Sequence, residues 1–153
     1  LITYMFMHGG MFHLFFNMFA VFMFGRTLET IWGPKKFLLY YMLTGIGAGL
    51  TQLLVTYLTG SIAPTVGASG AVFGILVAFG MLFPNSELFI IPFPFPIKAK
   101  WLVIGYGALE LFNGISNNPD DNVAHFAHLG GLVVGFIIVF YWKKTGKTYD
   151  QRY

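Results

Sequence analysis

Five long apolar stretches, separated by short links rich in glycine, proline and charge, restrict this chain to folds whose solvent is lipid. They run from Met11 to Phe24, Phe37 to Leu58, Val66 to Leu82, Ile97 to Phe112 and Val123 to Trp142. Each lies near the roughly 20 residues that a spanning helix needs, with the first, third and fourth on the short side. A water-soluble domain of 153 residues could not be covered by a chain that is 56% hydrophobic and 10% charged. The expected fold is therefore all-α, a polytopic membrane helical bundle. Residues 1–142 read as the membrane domain and 143–153 as a basic tail.

Charge placement gives the bundle a direction. If successive segments alternate, Arg26, Lys35, Lys36, Lys98, Lys100, Lys143, Lys144, Lys147 and Arg152 all fall on one side, which is cytoplasmic by the positive-inside rule. The other side receives Leu1, the link after Leu58, and the Asn117-Asn118-Pro119-Asp120-Asp121 loop, with no basic residue. The net charge of +3 thus reflects orientation and contact with anionic lipid; basic residues divided among links make no nucleic-acid footprint. The opening Leu1-Ile2-Thr3-Tyr4-Met5 has no basic region of the kind that begins a cleavable signal, and the start reads as incomplete. Cysteine is absent, so chemistry must rest on hydroxyl and imidazole groups.

Polar side chains inside membrane segments are expensive and usually face the bundle interior. Here they gather at one depth. His13 and Asn17 are four residues apart and share a helical face near the outer end of the first segment. Ser69 lies just inside the third, within Gly67-Ala68-Ser69-Gly70, and His125 and His128 open the fifth. A serine hydroxyl becomes a useful nucleophile when a base takes its proton, a role open to His128. His13, Asn17 and the Ser69 amide are placed to donate to the oxyanion that such an attack creates. The flanking glycines, Gly67 and Gly70, let a substrate backbone approach.

These stretches, in this order, resemble the rhomboid family. Gly67-Ala68-Ser69-Gly70 is similar to its Gly-x-Ser-Gly nucleophile motif. Ala127-His128-Leu129-Gly130-Gly131 resembles its Ala-His-x-x-Gly base motif, with Gly135 completing a Gly-x-x-x-Gly. His13 to Asn17 resembles the His-x-x-x-Asn pattern, and Gly25-Arg26-Thr27-Leu28-Glu29 the Gly-x-x-x-Glu helix end. The resemblance implies an intramembrane serine endopeptidase with a Ser69–His128 dyad and no required acid, cleaving transmembrane protein substrates in the bilayer. It further implies His13 and Asn17 as oxyanion-hole side chains, and the second to sixth segments of a six-segment core. Phe73 stands where the family often has a tyrosine packed on the base. The Gly131 and Gly135 spacing selects His128 over His125 as that base. A bacterial inner membrane is the expected location, with the site toward the outer face.

Blander roles compete at several positions. Gly131 and Gly135 are read as packing glycines that bring the helix of His128 against that of Ser69. Phe73 is core whatever the function, and the phenylalanines from Phe12 to Phe24 are lipid-facing or packed bulk. His8 is assigned a structural hydrogen bond, His125 a place on the water access, and Glu29 a contact with Arg26. Glu110 is compatible with a bond to a neighbouring helix, with interfacial water, or with gating. Asp120 and Asp121 are a solvated loop. No cofactor is expected, nor a metal, since His125 and His128 show no third ligand at suitable spacing. Two other functions compete: an inactive rhomboid-like protein that binds membrane clients, and a proton-relay transporter using His13, His125, His128 and Glu110, for which no inverted repeat is present.

Overall fold

A computed structural model describes residues 1–60, 65–89, 95–116 and 123–149. After a 3-10 turn at Thr3–Phe6 come five helices: α1 (Met11–Trp32), α2 (Pro34–Thr59), α3 (Ser69–Leu82), α4 (Ala99–Ser116) and α5 (His125–Lys144). A minimal antiparallel pair, β1 (Glu87–Leu88) with β2 (Ile97–Lys98), joins α3 to α4. Pro92 and Pro94 of the expected proline link, the Asp120-Asp121 loop and Arg152 lie outside the described residues.

The first link expected from the sequence is displaced. Gly25-Arg26-Thr27 does not break the chain: Val21–Gly25 forms a π-helical turn, and the helix resumes through Trp32. A π-turn absorbs one extra residue without ending the hydrogen-bonded ladder, so glycine there signals packing rather than a stop. The actual break is Gly33, at φ 76°, followed by Pro34, whose missing N–H is harmless in the first helical turn. Gly60 closes α2 in the left-handed conformation at φ 69°, its N–H bonding Thr56 O.

α3 is the axis of the bundle, packed against α2 and α5, with eight of its residues buried. α2 turns a row of every fourth residue inward, Tyr40, Thr44, Ala48 and Gln52. α1 does the reverse. Among Met11–Ala20 only Asn17 is buried, and Phe12, Phe15, Phe16 and Phe19 stand exposed. Met11–Trp32, Pro34–Thr59 and His125–Lys144 are each long and apolar enough to cross a membrane. The chain is an integral, multi-pass membrane protein.

Contacts at the two ends establish the alternation. At one end Lys143 Nζ donates to Met81 O at 3.3 Å, Lys36 Nζ bonds Lys147 O, and Lys100 N–H bonds Pro84 O. Arg26 borders the same end, lining a cavity of about 540 Å³ with Leu82 and Phe83. Its guanidinium lies 5.9 Å over the Phe22 ring, and no ion pair joins it to Glu29 among the described residues, contrary to the sequence expectation. An apolar cluster of Leu28, Trp32, Tyr40, Ile75, Ala78 and Val139 fills this basic end. The opposite end holds the starts of α1, α3 and α5 and the later part of α4.

Candidate active site

Ser69 is the first residue of α3 and His128 lies in the first turn of α5. Two helices can bring such short side chains together only if their backbones nearly touch. Gly131 supplies that approach: a Cβ built on it would fall 1.8 Å from Gly70 O, closer than any side chain allows. One turn on, a Cβ at Gly135 would fall 3.0 Å from Gly74 Cα and 2.5 Å from Tyr40 Oη. With the helices so close, His128 Nε2 lies 2.7 Å from Ser69 Oγ. Phe73 holds the other face of the imidazole, its ring stacked at 4.6 Å and 12°.

The turn before α3 is shaped for company. Gly67 has φ 114°, a conformation that side chains rarely tolerate, and a Cβ there would fall 2.7 Å from His13 Nε2 and 3.8 Å from Asn17 Nδ2. His13 and Asn17 therefore converge on the segment leading to Ser69. Asn17 is buried, and its Nδ2 donates to His13 O at 2.9 Å. His8 packs its ring edge-on to His13 at 5.3 Å; its Nε2 is buried with no hydrogen-bond partner among the described residues, so the contact is a ring contact in place of the expected hydrogen bond.

Sequence reasoning missed Tyr4. Its carbonyl accepts from Gly67 N–H at 2.8 Å and its hydroxyl donates to Gly45 O at 2.6 Å, tying the turn to α2. The neighbouring Met5 is fully buried over Gly45. Nothing in the pattern of Leu1 to Met7 marks this strap, because it depends on where Gly45 and Gly67 lie in space.

Glu110 was visible as an oddity, and the structure gives it partners. Its Oε2 lies 2.6 Å from His125 Nδ1 and 3.1 Å from His128 Nδ1. The first contact is a hydrogen bond; the second is close but lacks hydrogen-bond alignment, leaving His128 Nδ1 without a formal partner. His125, expected on the water access, is buried against this carboxylate. The expectation that the two histidines lack a third donor fails in space, where donor atoms of Glu110, His125 and His128 lie within 4.8 Å of one another. Their separations of 2.6 and 3.1 Å nevertheless suit hydrogen-bonded and charged partners better than the about 3.3 Å between neighbouring ligands of tetrahedral zinc.

A helical membrane bundle that sets a serine hydroxyl against an imidazole, just inside one end, has the parts of a hydrolase centre. Residues 1–145 match the family model described as Rhomboid domain, and the chain belongs to the rhomboid family. It is 33% identical over 150 residues to Rhomboid protein 1, mitochondrial, of Saccharomyces cerevisiae, covering 96% of this chain and 42% of that protein. RHOMBOID-like protein 1 of Arabidopsis thaliana is 33% identical over 141 residues, 92% of this chain and 33% of its own length. Rhomboid protease AarA of Providencia stuartii is 31% identical over 151 residues, 88% and 52% respectively. The chain thus spans a third to a half of these relatives.

Proposed function

We propose that this chain carries the catalytic core of an intramembrane serine endopeptidase that hydrolyses peptide bonds of transmembrane protein substrates. The observation that carries the reading is the 2.7 Å contact between His128 Nε2 and Ser69 Oγ. At that distance the imidazole can take the hydroxyl proton as Oγ bonds to the scissile carbonyl carbon and the carbonyl π pair moves to oxygen. The imidazolium then returns the proton to the leaving nitrogen as the C–N bond breaks, and water releases the acyl group by the same steps reversed. Ser69 opens a helix, whose N-terminal dipole favours the oxyanion. His13 and Asn17, gathered at Gly67, supply further donors; an amide carries two N–H groups, and the bond to His13 O uses one.

Helix length supports action within the bilayer. The 14 residues of α3 make a rod of roughly 21 Å, against about 30 Å of hydrocarbon. With its C-terminus at the basic end, Ser69 sits below the opposite surface. The basic residues gathered at Lys36, Lys143 and Lys147 support a cytoplasmic placement of that end, hence a site toward the outer face of the membrane; a bacterial inner membrane is proposed on family resemblance alone, beside relatives named as mitochondrial.

The test is labelling of the detergent-solubilised chain with a serine-directed fluorophosphonate, beside Ser69→Ala and His128→Ala at equal expression and folding. Labelling is expected to be abolished in Ser69→Ala, which lacks the oxygen that the probe modifies, and lost in His128→Ala, with cleavage of a model transmembrane substrate falling by about 10⁶-fold in both. A folded parent that neither labels nor cuts would instead favour an inactive, client-binding member of the family.

A further inference from the structure

Glu110 plays no part in the dyad as described. α4 leaves nearly all of its 18 residues wholly or partly exposed, and only Ala99 and Glu110 are buried. An ionisable group buried in a membrane helix is costly and persists where partners meet it. Both partners of Glu110 come from the first turn of α5, His125 Nδ1 at 2.6 Å and His128 Nδ1 at 3.1 Å. The same His128 ring presents Nε2 to Ser69 Oγ at 2.7 Å. One imidazole therefore stands between the hydroxyl and the carboxylate, facing each through a different nitrogen.

That order has a chemical consequence. To accept the serine proton, Nε2 must offer its lone pair, so the neutral ring must carry its own proton on Nδ1. A carboxylate beside Nδ1 favours that tautomer. Once Nε2 has also been protonated, the same carboxylate stabilises the imidazolium. The hydrogen bond from His125 anchors the carboxylate oxygen that faces His128. The resting contact to His128 is close without being aligned, as hydrogen bonds in unliganded catalytic sites commonly are.

We propose that Glu110 is a positioning residue that extends the Ser69–His128 pair to a Ser–His–Glu relay, with His125 orienting the carboxylate. The assignment rests on the protease reading above. In the first step the Ser69 O–H bond breaks, its proton passes to His128 Nε2, and Oγ bonds to the substrate carbonyl carbon. Glu110 stays ionised and takes no proton. When the C–N bond breaks, the Nε2 proton leaves with the amine and the charge pair relaxes. Such a relay departs from the acid-free dyad implied by the family resemblance.

The test compares the full chain in lipid nanodiscs with Glu110→Gln, Glu110→Asp and Ser69→Ala, measuring fluorophosphonate inactivation and kcat and KM for a model transmembrane substrate. Glu110→Gln keeps the shape and removes the charge. It is expected to lower kcat and the inactivation rate about 100-fold with KM within about twofold, and Glu110→Asp to recover about tenfold of that loss. A folded Glu110→Gln reacting at the parental rate, with Ser69→Ala inert, would overturn the relay and leave the dyad standing. A parent no more reactive than Ser69→Ala would overturn both. Should Glu110→Gln not fold, proton and nitrogen NMR of histidine-labelled parent decides the matter at mildly alkaline pH. The relay requires the His128 Nδ1 proton to be hydrogen-bonded to the carboxylate and shifted well downfield; an Nδ1–H form without that shift would overturn the relay and leave the dyad, and a predominant Nε2–H form would overturn both.

Discussion

At the site end, α3 and α5 meet backbone to backbone, with Gly131 facing Gly70 O and no space for a side chain between them. At the basic end, the space among α1, α2, α3 and α5 is filled by Trp32, Tyr40, Ile75 and Val139, all fully buried. Lys36 adds its ammonium 4.3 Å over the Trp142 ring. Aromatic bulk makes a stable end but would hold Ser69 and His128 apart. Small residues give up buried area and allow two short polar side chains to reach each other. The contrast implies that the glycine end is sensitive to added volume and the aromatic end to its removal.

The largest effect is expected where the comparison can be broken by one methyl group. Gly131→Ala should lower stability by about 1–3 kcal/mol through overpacking and disrupt the Ser69–His128 contact, read by thermal unfolding in detergent and by probe labelling. Gly105→Ala in α4, where a Cβ would meet nothing within 4 Å, is the matched control. It should leave stability unchanged or raise it by up to about 1 kcal/mol, because alanine is the better helix former. Equal losses in the two variants would mean that the close approach at Gly131 is not what matters.

A smaller effect should follow removal of the ring that backs the base. Phe73→Ala takes away the 4.6 Å stack on His128, and a contact of about 0.5–1.5 kcal/mol corresponds to a labelling rate lowered roughly 2- to 10-fold. The smallest effect is expected at the other end. Lys36→Met removes the cation over Trp142 and should reduce stability by about 0.5–1 kcal/mol while leaving the labelling rate as it was. If Lys36→Met slowed labelling as much as Phe73→Ala, the two ends would have to be treated as one coupled unit.

Much of this was legible before any coordinates. Hydrophobic length gave five helices, four of them within a few residues of their observed bounds and the first eight residues short at its end, and Gly33-Pro34 and Gly60 carry ordinary start and stop chemistry. The misplaced link at Gly25 shows where such reading fails: glycine there relieves crowding, since a Cβ would fall 2.9 Å from the Phe37 ring, and local sequence cannot distinguish packing from termination. Glu110 could be flagged by its cost in a membrane helix. Its partner could not be named, because the rotation of α4 about its own axis is set by contacts with α5 rather than by a periodic apolar face.

The sequence by itself determined the solvent, the number of helices, the gathering of basic residues at one end and the depth of Ser69, His13, Asn17 and His128. Each follows from local composition and from helical rise, which need no knowledge of neighbours. Only the tertiary structure decided which nitrogen of His128 meets Ser69, that Glu110 faces the other, and that Tyr4 ties Gly67 to α2. Those are distances between residues 18 to 63 positions apart in the chain, fixed by how closely glycine lets helices approach and how each helix is turned.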